Sequence, residues 1–296
     1  MTARIIEAGD IASALVEKVA AGAAELMART GARPGLAVIL AGDDPASAIY
    51  VRSKAEQSRA AGFHSEIHRL SANVSQAELE ALVGRLNADR AIHGVLVQLP
   101  LPAGLSAAAV LARLDPAKDV DGLTLESAGR LASGLAGLVP CTPKGCMILL
   151  SETLGEFSGK EAVVVGRSIL VGRPIAQLLL GADCTVTMAH SKTIDLPAVC
   201  RRADILIVAA GRAEMVRGSW IKPGAAVIDV GINRVPFRDP VKAAAGKTKV
   251  VGDVAFKEAA EVADWITKVP GGVGLMTVAC LLSNTLLAAR RSLGLE

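Results

Sequence analysis

The sequence predicts an α/β protein with two domains, each built on a mostly parallel β-sheet. Strand-like and helix-like segments alternate along most of the 296 residues, which is the pattern of parallel sheets covered by helices. The strand-like runs are short and almost entirely apolar, as expected of strands buried on both faces. The segment Pro140–Pro143, with the sequence PCTP, separates two such series. Ligands are therefore expected at the carboxyl ends of the strands, or in a cleft between the two domains.

The first series contains four predicted helices and three predicted strands. The helices are predicted at Asp10–Arg29, Ala46–Ala61, Ser75–Ala88 and Ser106–Leu114, and the strands at Leu36–Gly42, Phe63–Leu70 and Gly94–Pro100. Apolar residues at helical spacing support the helices, and short apolar runs support the strands. Ser75 and Glu78 form a capping-box signal at the start of the third helix. The segment PAKDVDG (Pro116–Gly122) is predicted to be a loop.

The second series begins with a helix near Lys144 and ends with a helix over Met276–Ala289. Its strands are predicted at Ala162–Gly166, Cys184–His190, Ile205–Gly211 and Ala225–Gly231. The polar, irregular stretch Val235–Lys249 predicts a surface excursion, and VPGGVG (Val269–Gly274) interrupts the pattern before the closing helix.

Composition excludes several classes of function. Apolar residues make up 51% of the chain, enough for a sizeable core, and the formal net charge is only +3. This charge gives no bulk attraction to nucleic acid or to a membrane, and 2% aromatic residues are too few for a base-stacking platform. We therefore expect no nucleic-acid or membrane partner.

The cysteines and the amino terminus indicate a cytoplasmic protein. The five cysteines are odd in number and form no CxxC pair, so neither a disulfide framework nor a zinc site is predicted. The four histidines are scattered, and no metal site is expected. The first residues lack a signal-peptide pattern, and no apolar run reaches the roughly 18 residues of a membrane span.

The stretch VVVGRSILVGRP (Val163–Pro174) predicts a strand followed by a nucleotide-binding turn. Gly166 follows the strand and suits a tight turn, and Gly172 lets the next helix pack closely. The free N–H groups at the start of that helix suit a phosphate. The usual G-x-G-x-x-G pattern has a glycine where Ser168 stands, but Ser168 offers a hydroxyl donor instead. An ordinary strand-to-helix turn is the alternative interpretation of this stretch by itself.

The next strand favours NADP over NAD at this site. NAD sites usually place a carboxylate about 20 residues on, where it binds the ribose 2′-hydroxyl. Here the strand ends at His190-Ser191-Lys192, without a carboxylate. Arg167, Ser191 and Lys192 would instead attract a 2′-phosphate, and a guanidinium suits phosphate geometry.

Polar residues of the first series indicate a second site. Tyr50 and Lys54 are four residues apart and share one face of a predicted helix. Gln98 follows a buried strand, and Asp119 and Asp121 lie in a loop after the next helix. Lys54, Gln98 and Asp121 could converge on one cleft, although a surface lysine, a capping amide and a polar turn are the alternatives. The Tyr-x-x-x-Lys pair also occurs in short-chain dehydrogenases, but there the nucleotide loop precedes the pair, whereas here it follows.

The motifs, taken together, resemble the bifunctional methylenetetrahydrofolate dehydrogenase/methenyltetrahydrofolate cyclohydrolase family. The nucleotide stretch VVVGRS with VG-x-P is one of these motifs. The others are YVRSK (Tyr50–Lys54), VQLPLP (Val97–Pro102), KDVDGLT (Lys118–Thr124), PCTPKG (Pro140–Gly145), HSKT (His190–Thr193), WIKPGA with VIDVGINR (Trp220–Arg234), VGDV (Val251–Val254) and PGGVG-x-MT (Pro270–Thr277). They occur in the family's order and spacing and span nearly the whole chain.

This resemblance implies a domain plan. Residues 1–143 would form the folate-binding catalytic domain and residues 144–272 a Rossmann-type NADP-binding domain, with a cleft between them. Residues 273–296 would form a C-terminal helix that returns to the first domain. The resemblance also implies a cytoplasmic homodimer that acts on tetrahydrofolate derivatives. Its one-carbon units would supply purine, histidine and methionine biosynthesis.

The resemblance also assigns roles to residues. In the folate site, Lys54 would be the catalytic acid/base, Gln98 would orient it, Tyr50 would pack against the folate, and Asp121 would hold the pterin. Further substrate contacts are expected from Leu99, Gly271 and Gly272. The NADP-binding residues would be Gly166, Arg167, Ser168, Ser191 and Ile232.

Three positions depart from the family's pattern. Ser127 stands where the family usually has asparagine, Lys268 replaces a proline of T-P-V-P, and Leu275 replaces the proline after GGVG. Losing two prolines removes two fixed φ angles near the expected site. Two alternative functions stay open: an enzyme with only the dehydrogenase step, and a folate- or nucleotide-binding protein without turnover.

Overall fold

A computed structural model describes residues 2–237 and 246–296, which form two compact units. We call Met1–Ala12 with Thr142–Thr277 the six-stranded unit, and Ser13–Cys141 with Val278–Glu296 the three-stranded unit. The expected first domain, residues 1–143, therefore differs at its amino terminus, because Met1–Ala12 clusters with the six-stranded unit.

The described residues alternate between strands and helices. The strands are β1 (Arg4–Ile5), β2 (Gly35–Ala41), β3 (His64–Leu70), β4 (Gly94–Val97), β5 (Glu161–Val165), β6 (Thr185–Ala189), β7 (Ile205–Val208), β8 (Ala226–Asp229), β9 (Asn233–Pro236), β10 (Thr248–Val251) and β11 (Trp265–Ile266). The helices are α1 (Ala8–Thr30), α2 (Pro45–Ala60), α3 (Gln76–Ala88), α4 (Ala107–Arg113), α5 (Leu125–Ala132), α6 (Cys141–Leu154), α7 (Gly172–Gly181), α8 (Leu196–Cys200), α9 (Phe256–Ala259) and α10 (Val273–Ser292). The α/β class and the predicted strand–helix alternation are confirmed.

The three-stranded unit is built on a parallel sheet in the order β3-β2-β4. Every residue of β2 and β4 is buried, which explains their continuous apolar sequences. Helices α3 and α4 pack on this sheet through a cluster that includes Leu79, Leu82 and Val110. The capping box that begins α3 is confirmed, since Ser75 and Glu78 each bond the other's backbone N–H.

The six-stranded unit has a fully parallel sheet in the order β1-β11-β8-β7-β5-β6. The edge strand β1 and its neighbour β11 are two residues long and were not predicted, because two residues carry no readable periodicity. Their pairing, with Ile5 opposite Ile266, explains why the amino terminus belongs to this unit. All strands of one parallel sheet end at the same edge, so the polar segments after β5, β6, β7 and β8 share one edge.

The predicted surface excursion at Val235–Lys249 is corrected at both ends. Residues 238–245 lie outside the described part of the chain, but β9 and β10 form an antiparallel pair on either side of them, with Val235 opposite Lys249. The predicted helix start near Lys144 is late by about one turn, since α6 begins at Cys141 and accommodates Pro143 in its first turn.

Helix α10 has the length and mean hydropathy (1.5) of a membrane span, but 61% of that window is buried within the structure. Leu282, Leu286 and Ala289 of this helix pack in one cluster with Val19 and Leu26 of α1. Such burial favours a core helix. The five cysteines all lie in the described residues, and each is buried and free of disulfides.

Candidate functional sites

Lys54 and Gln98 are brought together in the three-stranded unit. Lys54 lies on α2, and Gln98 follows the carboxyl end of β4, where its backbone N–H donates to the Ile39 carbonyl (2.9 Å). The Lys54 Nζ donates to Gln98 Oε1 at 2.9 Å, and Gln98 Nε2 donates to the Leu99 carbonyl at 2.8 Å. The second bond fixes the amide so that its oxygen faces the lysine.

Asp121 is electrostatically coupled to Lys54. Burial lowers the pKa of Lys54, and nearby Asp121 and Cys141 partly oppose this effect. Burial raises the pKa of Asp121, against the opposing effects of Lys54 and a hydrogen bond with Cys141. Such an amine gives up its proton more readily than an ordinary lysine, and such a carboxyl retains its proton more readily than an ordinary aspartate. Proton transfer between groups tuned in this way suits acid–base chemistry near neutral pH.

Cys141 belongs to this cluster although sequence reasoning assigned it no role. Its Sγ also lies 3.3 Å from the Val120 carbonyl, to which the thiol donates. Burial, followed by Asp121, raises the pKa of the Cys141 thiol well above its usual range. The thiol therefore stays protonated and acts as a hydrogen-bond donor rather than a nucleophile. Its place in the PCTP motif was the available sequence signal.

Asp119 fixes the loop that carries Asp121. Its carboxylate is 1% exposed and accepts the backbone N–H groups of Leu123 (3.0 Å) and Thr124 (2.8 Å). The Ser127 hydroxyl donates to Asp119 Oδ2 at 2.7 Å. Ser127, which stands where the family usually has asparagine, thus donates a buried hydrogen bond to Asp119.

Tyr50 lies one helical turn before Lys54 on α2, and 51% of it is exposed. Leu99 is half-buried against the core of the same unit. The three-stranded unit therefore carries five of the predicted folate-site residues, Tyr50, Lys54, Gln98, Leu99 and Asp121.

Gly166 and Gly172 occupy positions where only glycine fits. Gly166 has φ +128°, and a Cβ there would lie 2.2 Å from the Ala209 carbonyl oxygen. A Cβ on Gly172 would lie 2.3 Å from the Gly166 carbonyl oxygen. Ser168 Oγ accepts the N–H groups of Val171 (3.1 Å) and Gly172 (3.4 Å) at the start of α7. The predicted hydroxyl donor therefore also accepts hydrogen bonds from the backbone of the turn that leads into α7.

The predicted 2′-phosphate residues lie at adjacent strand ends. Val165 of β5 pairs with Ala189 of β6, so Arg167 and Ser191 are each two residues beyond a paired position. Both side chains are exposed. Ile232 follows β8 at the same edge of the sheet, and 57% of this large apolar side chain is exposed.

Gly271 and Gly272 lie in the six-stranded unit, just before α10. Gly271 has φ +99°, and a Cβ on Gly272 would lie 2.5 Å from the Lys268 carbonyl oxygen. The Lys268 ammonium pairs with Glu7 at 3.2 Å on the surface, a contact of small energy. Leu275, the third departure, is 47% exposed.

A cavity of about 930 Å³ in the three-stranded unit is lined by other residues than the predicted folate-site residues. It is lined by the end of α3, the segment 115–118 and the end of α10. Two of its cationic side chains have partners: Lys118 Nζ donates to the carbonyls of Leu86 and Asp89 (3.0 and 2.6 Å), and Arg130 pairs with Glu126. Among the described residues, no group of three or more His, Cys, Asp or Glu could hold a metal ion.

Comparisons with known proteins cover the whole chain. Residues 6–121 match the catalytic domain of the tetrahydrofolate dehydrogenase/cyclohydrolase family, and residues 140–293 match its NAD(P)-binding domain. Bifunctional protein FolD of Phenylobacterium zucineum is 65% identical over 100% of both chains, and that of a Caulobacter species is 66% identical over 99% of this chain and 98% of the relative.

Solved structures agree with these matches. The bifunctional methylenetetrahydrofolate dehydrogenase/cyclohydrolase of Campylobacter jejuni is 41% identical with a TM-score of 0.92, over 98% of this chain and 99% of its own. The Trypanosoma brucei enzyme, solved with NADP cofactor and inhibitor, has the same identity and TM-score over 99% of both chains.

Proposed function

Because the chain belongs to the tetrahydrofolate dehydrogenase/cyclohydrolase family, we propose that Lys54, Gln98 and Asp121 carry out its folate chemistry. The protein is a bifunctional enzyme with NADP-dependent methylenetetrahydrofolate dehydrogenase and methenyltetrahydrofolate cyclohydrolase activities. The first activity oxidises 5,10-methylenetetrahydrofolate to the 5,10-methenyl cation. The second adds water to that cation and opens the ring to 10-formyltetrahydrofolate.

The observation that carries the proposal is the desolvated Lys54 amine bonded to Gln98 Oε1 at 2.9 Å. Both activities change the bonding at the bridging carbon, and hydrolysis requires proton transfer to and from water and the bridging nitrogen. A lysine with a lowered pKa can accept a proton from the attacking water and return it to the nitrogen that leaves. Gln98 holds the Nζ in one direction, which keeps the amine aligned for this transfer.

Asp121 is proposed to bind the pterin. A carboxylate can accept paired hydrogen bonds from the pterin amino group and the adjacent ring N–H. Substrate binding would supply these donors, and they would favour the charged form that burial otherwise disfavours. Tyr50, exposed one turn before Lys54, is proposed to pack its ring against the folate, with Leu99, Gly271 and Gly272 contributing further substrate contacts.

The NADP site fits the residues present. The two tight glycine positions let the backbone approach a pyrophosphate, and the start of α7 offers N–H groups. We propose that Gly166 and Ser168 hold the pyrophosphate, that Arg167 and Ser191 bind the 2′-phosphate, and that Ile232 contacts the nicotinamide. NADP supplies the hydride acceptor, and the protein supplies binding and orientation.

Assembly and location rest on the family resemblance. We propose a cytoplasmic homodimer, without nucleic-acid or membrane partners, that serves one-carbon supply to purine, histidine and methionine biosynthesis.

Two assays on the purified protein test the proposed function. Methylenetetrahydrofolate with NADP or NAD should give reduced cofactor, with a higher kcat/KM for NADP. Methenyltetrahydrofolate without nucleotide should be hydrolysed faster than in buffer alone. Dehydrogenase activity without hydrolysis would indicate a dehydrogenase-only enzyme, and neither activity would indicate a binding protein.

A further inference from the structure

The Asp253 carboxylate binds backbone N–H groups of the segment that follows β7. Its Oδ2 accepts the N–H groups of Ala210 (2.6 Å) and Gly211 (2.8 Å), and its Oδ1 accepts the N–H of Arg212 (2.8 Å) and the Asn233 side-chain amide (2.8 Å). Asp253 is fully buried, with 0% exposure. One carboxylate therefore fixes three consecutive peptide groups and the start of β9.

Asp229, the last residue of β8, holds Asp253 in turn. Its Oδ1 accepts the N–H groups of Gly231 and Asp253, and its Oδ2 accepts that of Val254, each at 2.9 Å. The Asp229 N–H donates to Thr267 Oγ1 at 2.8 Å. The two carboxylates thus link the segment after β7, the segment after β8 and the segment after β10.

Two glycines make this close packing achievable. A Cβ on Gly231 would lie 2.3 Å from the Asp253 carboxyl, and a Cβ on Gly252 would lie 1.8 Å from Asp229 Oδ2. Neither glycine has a positive φ, so close approach, rather than backbone conformation, accounts for both. The VGIN and VGDV motifs are therefore two halves of one carboxylate–glycine arrangement.

This arrangement lies where the second half of NADP would bind. Arg167 and Ser191 mark the adenosine side at the ends of β5 and β6, so the rest of the dinucleotide must extend over β7 and β8. The segment after β7 also touches the nucleotide turn, because a Cβ on Gly166 would lie 2.2 Å from the Ala209 carbonyl oxygen. Ile232 emerges from the segment that Asp229 holds at Gly231.

We propose that Asp253 and Asp229 are positioning residues that set the backbone around the nicotinamide end of NADP. The inference rests on the proposed NADP site and extends it to residues that need not touch the cofactor. Displacing the segments at 209–212 and 230–232 would move Ile232 and the groups beside it, and misorientation at the reacting end lowers the rate of transfer.

The test is Asp253→Asn, which keeps the size of the side chain but turns one acceptor oxygen into a donor facing N–H groups. With NADP, kcat/KM of the dehydrogenase should fall about 10- to 100-fold. The cyclohydrolase, assayed without nucleotide, should keep its wild-type kcat and KM. Calorimetric binding of adenosine 2′,5′-bisphosphate, which occupies only the adenosine side, should also be unchanged.

Asp204→Asn is the matched control. Asp204 accepts Lys222 Nζ (2.7 Å) and the Glu161 N–H (2.9 Å) and lies before β7, at the opposite end of the sheet. It should leave the dehydrogenase kcat/KM near the wild-type value. If Asp253→Asn does not fold, Asn233→Ala removes one partner of the same carboxylate and should give a smaller loss of the same kind.

Two results would overturn the inference. One is a dehydrogenase kcat/KM equal to wild type in Asp253→Asn and Asn233→Ala. The other is a parallel loss of bisphosphate affinity and of kcat/KM, since this would mean general destabilisation of the unit. NADP reduction by the wild-type protein is measured first and tests the proposed function separately. If the wild-type protein does not reduce NADP, the proposed function is wrong before any variant is compared.

Discussion

In the six-stranded unit, buried carboxylates bind backbone, whereas in the three-stranded unit the half-buried Asp121 lies beside a titratable lysine. Asp229 and Asp253 accept N–H groups from several segments and act as cross-links between strand ends. Asp121 is coupled instead to Lys54 and to the thiol of Cys141. A carboxylate that binds backbone N–H groups holds the structure in place. A carboxylate beside titratable side chains can instead take part in proton exchange with a substrate.

The same contrast occurs within a few residues of one loop. Asp119 accepts two backbone N–H groups and the Ser127 hydroxyl, so it behaves like the carboxylates of the six-stranded unit. Asp121, two residues later, keeps its coupling to Lys54. The loop KDVDG therefore contains one structural and one chemically available carboxylate.

Replacing Lys54 should have the largest effect. Lys54→Ala should lower cyclohydrolase turnover by at least about 100-fold, because general acid–base catalysis contributes in this range. Dehydrogenase turnover should fall as well, since the same amine lies in the proposed folate site. Stopped-flow or steady-state absorbance of methenyltetrahydrofolate measures the first activity directly.

Lys118→Ala is the matched control for this variant. Burial also lowers the pKa of Lys118, but its ammonium bonds the carbonyls of Leu86 and Asp89. Both activities should stay near wild type in this variant. A loss in Lys54→Ala of less than about tenfold would contradict the proposed role.

Asp229 should make the six-stranded unit less stable as pH rises. Burial raises its pKa to about 6 from an ordinary 3.8, so between these values the folded chain binds more protons than the unfolded chain. The free energy of unfolding therefore falls across this window, by up to about 3 kcal/mol. Urea unfolding of wild type and Asp229→Asn at several pH values isolates this contribution as their difference.

Tryptophan fluorescence reports the unfolding of the six-stranded unit, which contains Asp229, since Trp220 and Trp265 are the chain's two tryptophans and both lie in this unit.

Asp204→Asn is a control whose effect on stability should change with pH in the opposite direction. The hydrogen bond from Lys222 lowers the pKa of Asp204, so its stabilisation is present above the unfolded pKa and is lost as pH falls. A wild-type minus Asp229→Asn difference that does not change between pH 4 and 6 would refute the assignment.

Arg167 should control nucleotide choice with a smaller effect. Arg167→Ala should raise KM for NADP by about tenfold, the low end for a charge-assisted bond at an exposed site, while KM for NAD changes little. Arg173→Ala, an exposed arginine one residue into α7, is the control and should alter neither constant. Equal increases for NADP and NAD in Arg167→Ala would mean that Arg167 does not bind the 2′-phosphate.

Ser127 should have the smallest effect, and on stability. Ser127→Ala removes a donor from buried Asp119 and should lower the free energy of unfolding by about 1–2 kcal/mol. Ser127→Asn offers an amide N–H in its place and should recover part of the loss. Thermal unfolding by circular dichroism measures both, with exposed Ser133→Ala as the control. No change in Ser127→Ala would show that the Asp119 contact contributes nothing.

Much of the fold was predictable because its signals are local. Gly172 and the capping pair Ser75 and Glu78 mark helix starts, and fully apolar runs mark strands such as β2. Strands β1 and β11 were missed because two residues show no pattern, and α5 was missed because it is a short helix directly after a polar loop.

The functional residues also divide into those that local sequence signals predicted and those that only the three-dimensional structure shows. Lys54, Gln98 and Asp121 were predicted from strand ends and motifs, and the structure brings these three together. Asp229 and Asp253 were not singled out, since most of their partners come from segments more than 20 residues away and become neighbours only through the parallel strand order. Contacts set by topology are not readable from local spacing.

The central claim is that burial prepares Lys54 for proton transfer. The most direct measurement is an NMR titration of the lysine side chains, with the Lys54 signal assigned by its absence in Lys54→Ala. The pKa of Lys54 should lie below its ordinary 10.5, and Asp121→Asn should lower it further, because Asp121 raises it. A Lys54 pKa at or above 10.5 in the wild-type protein would contradict the account.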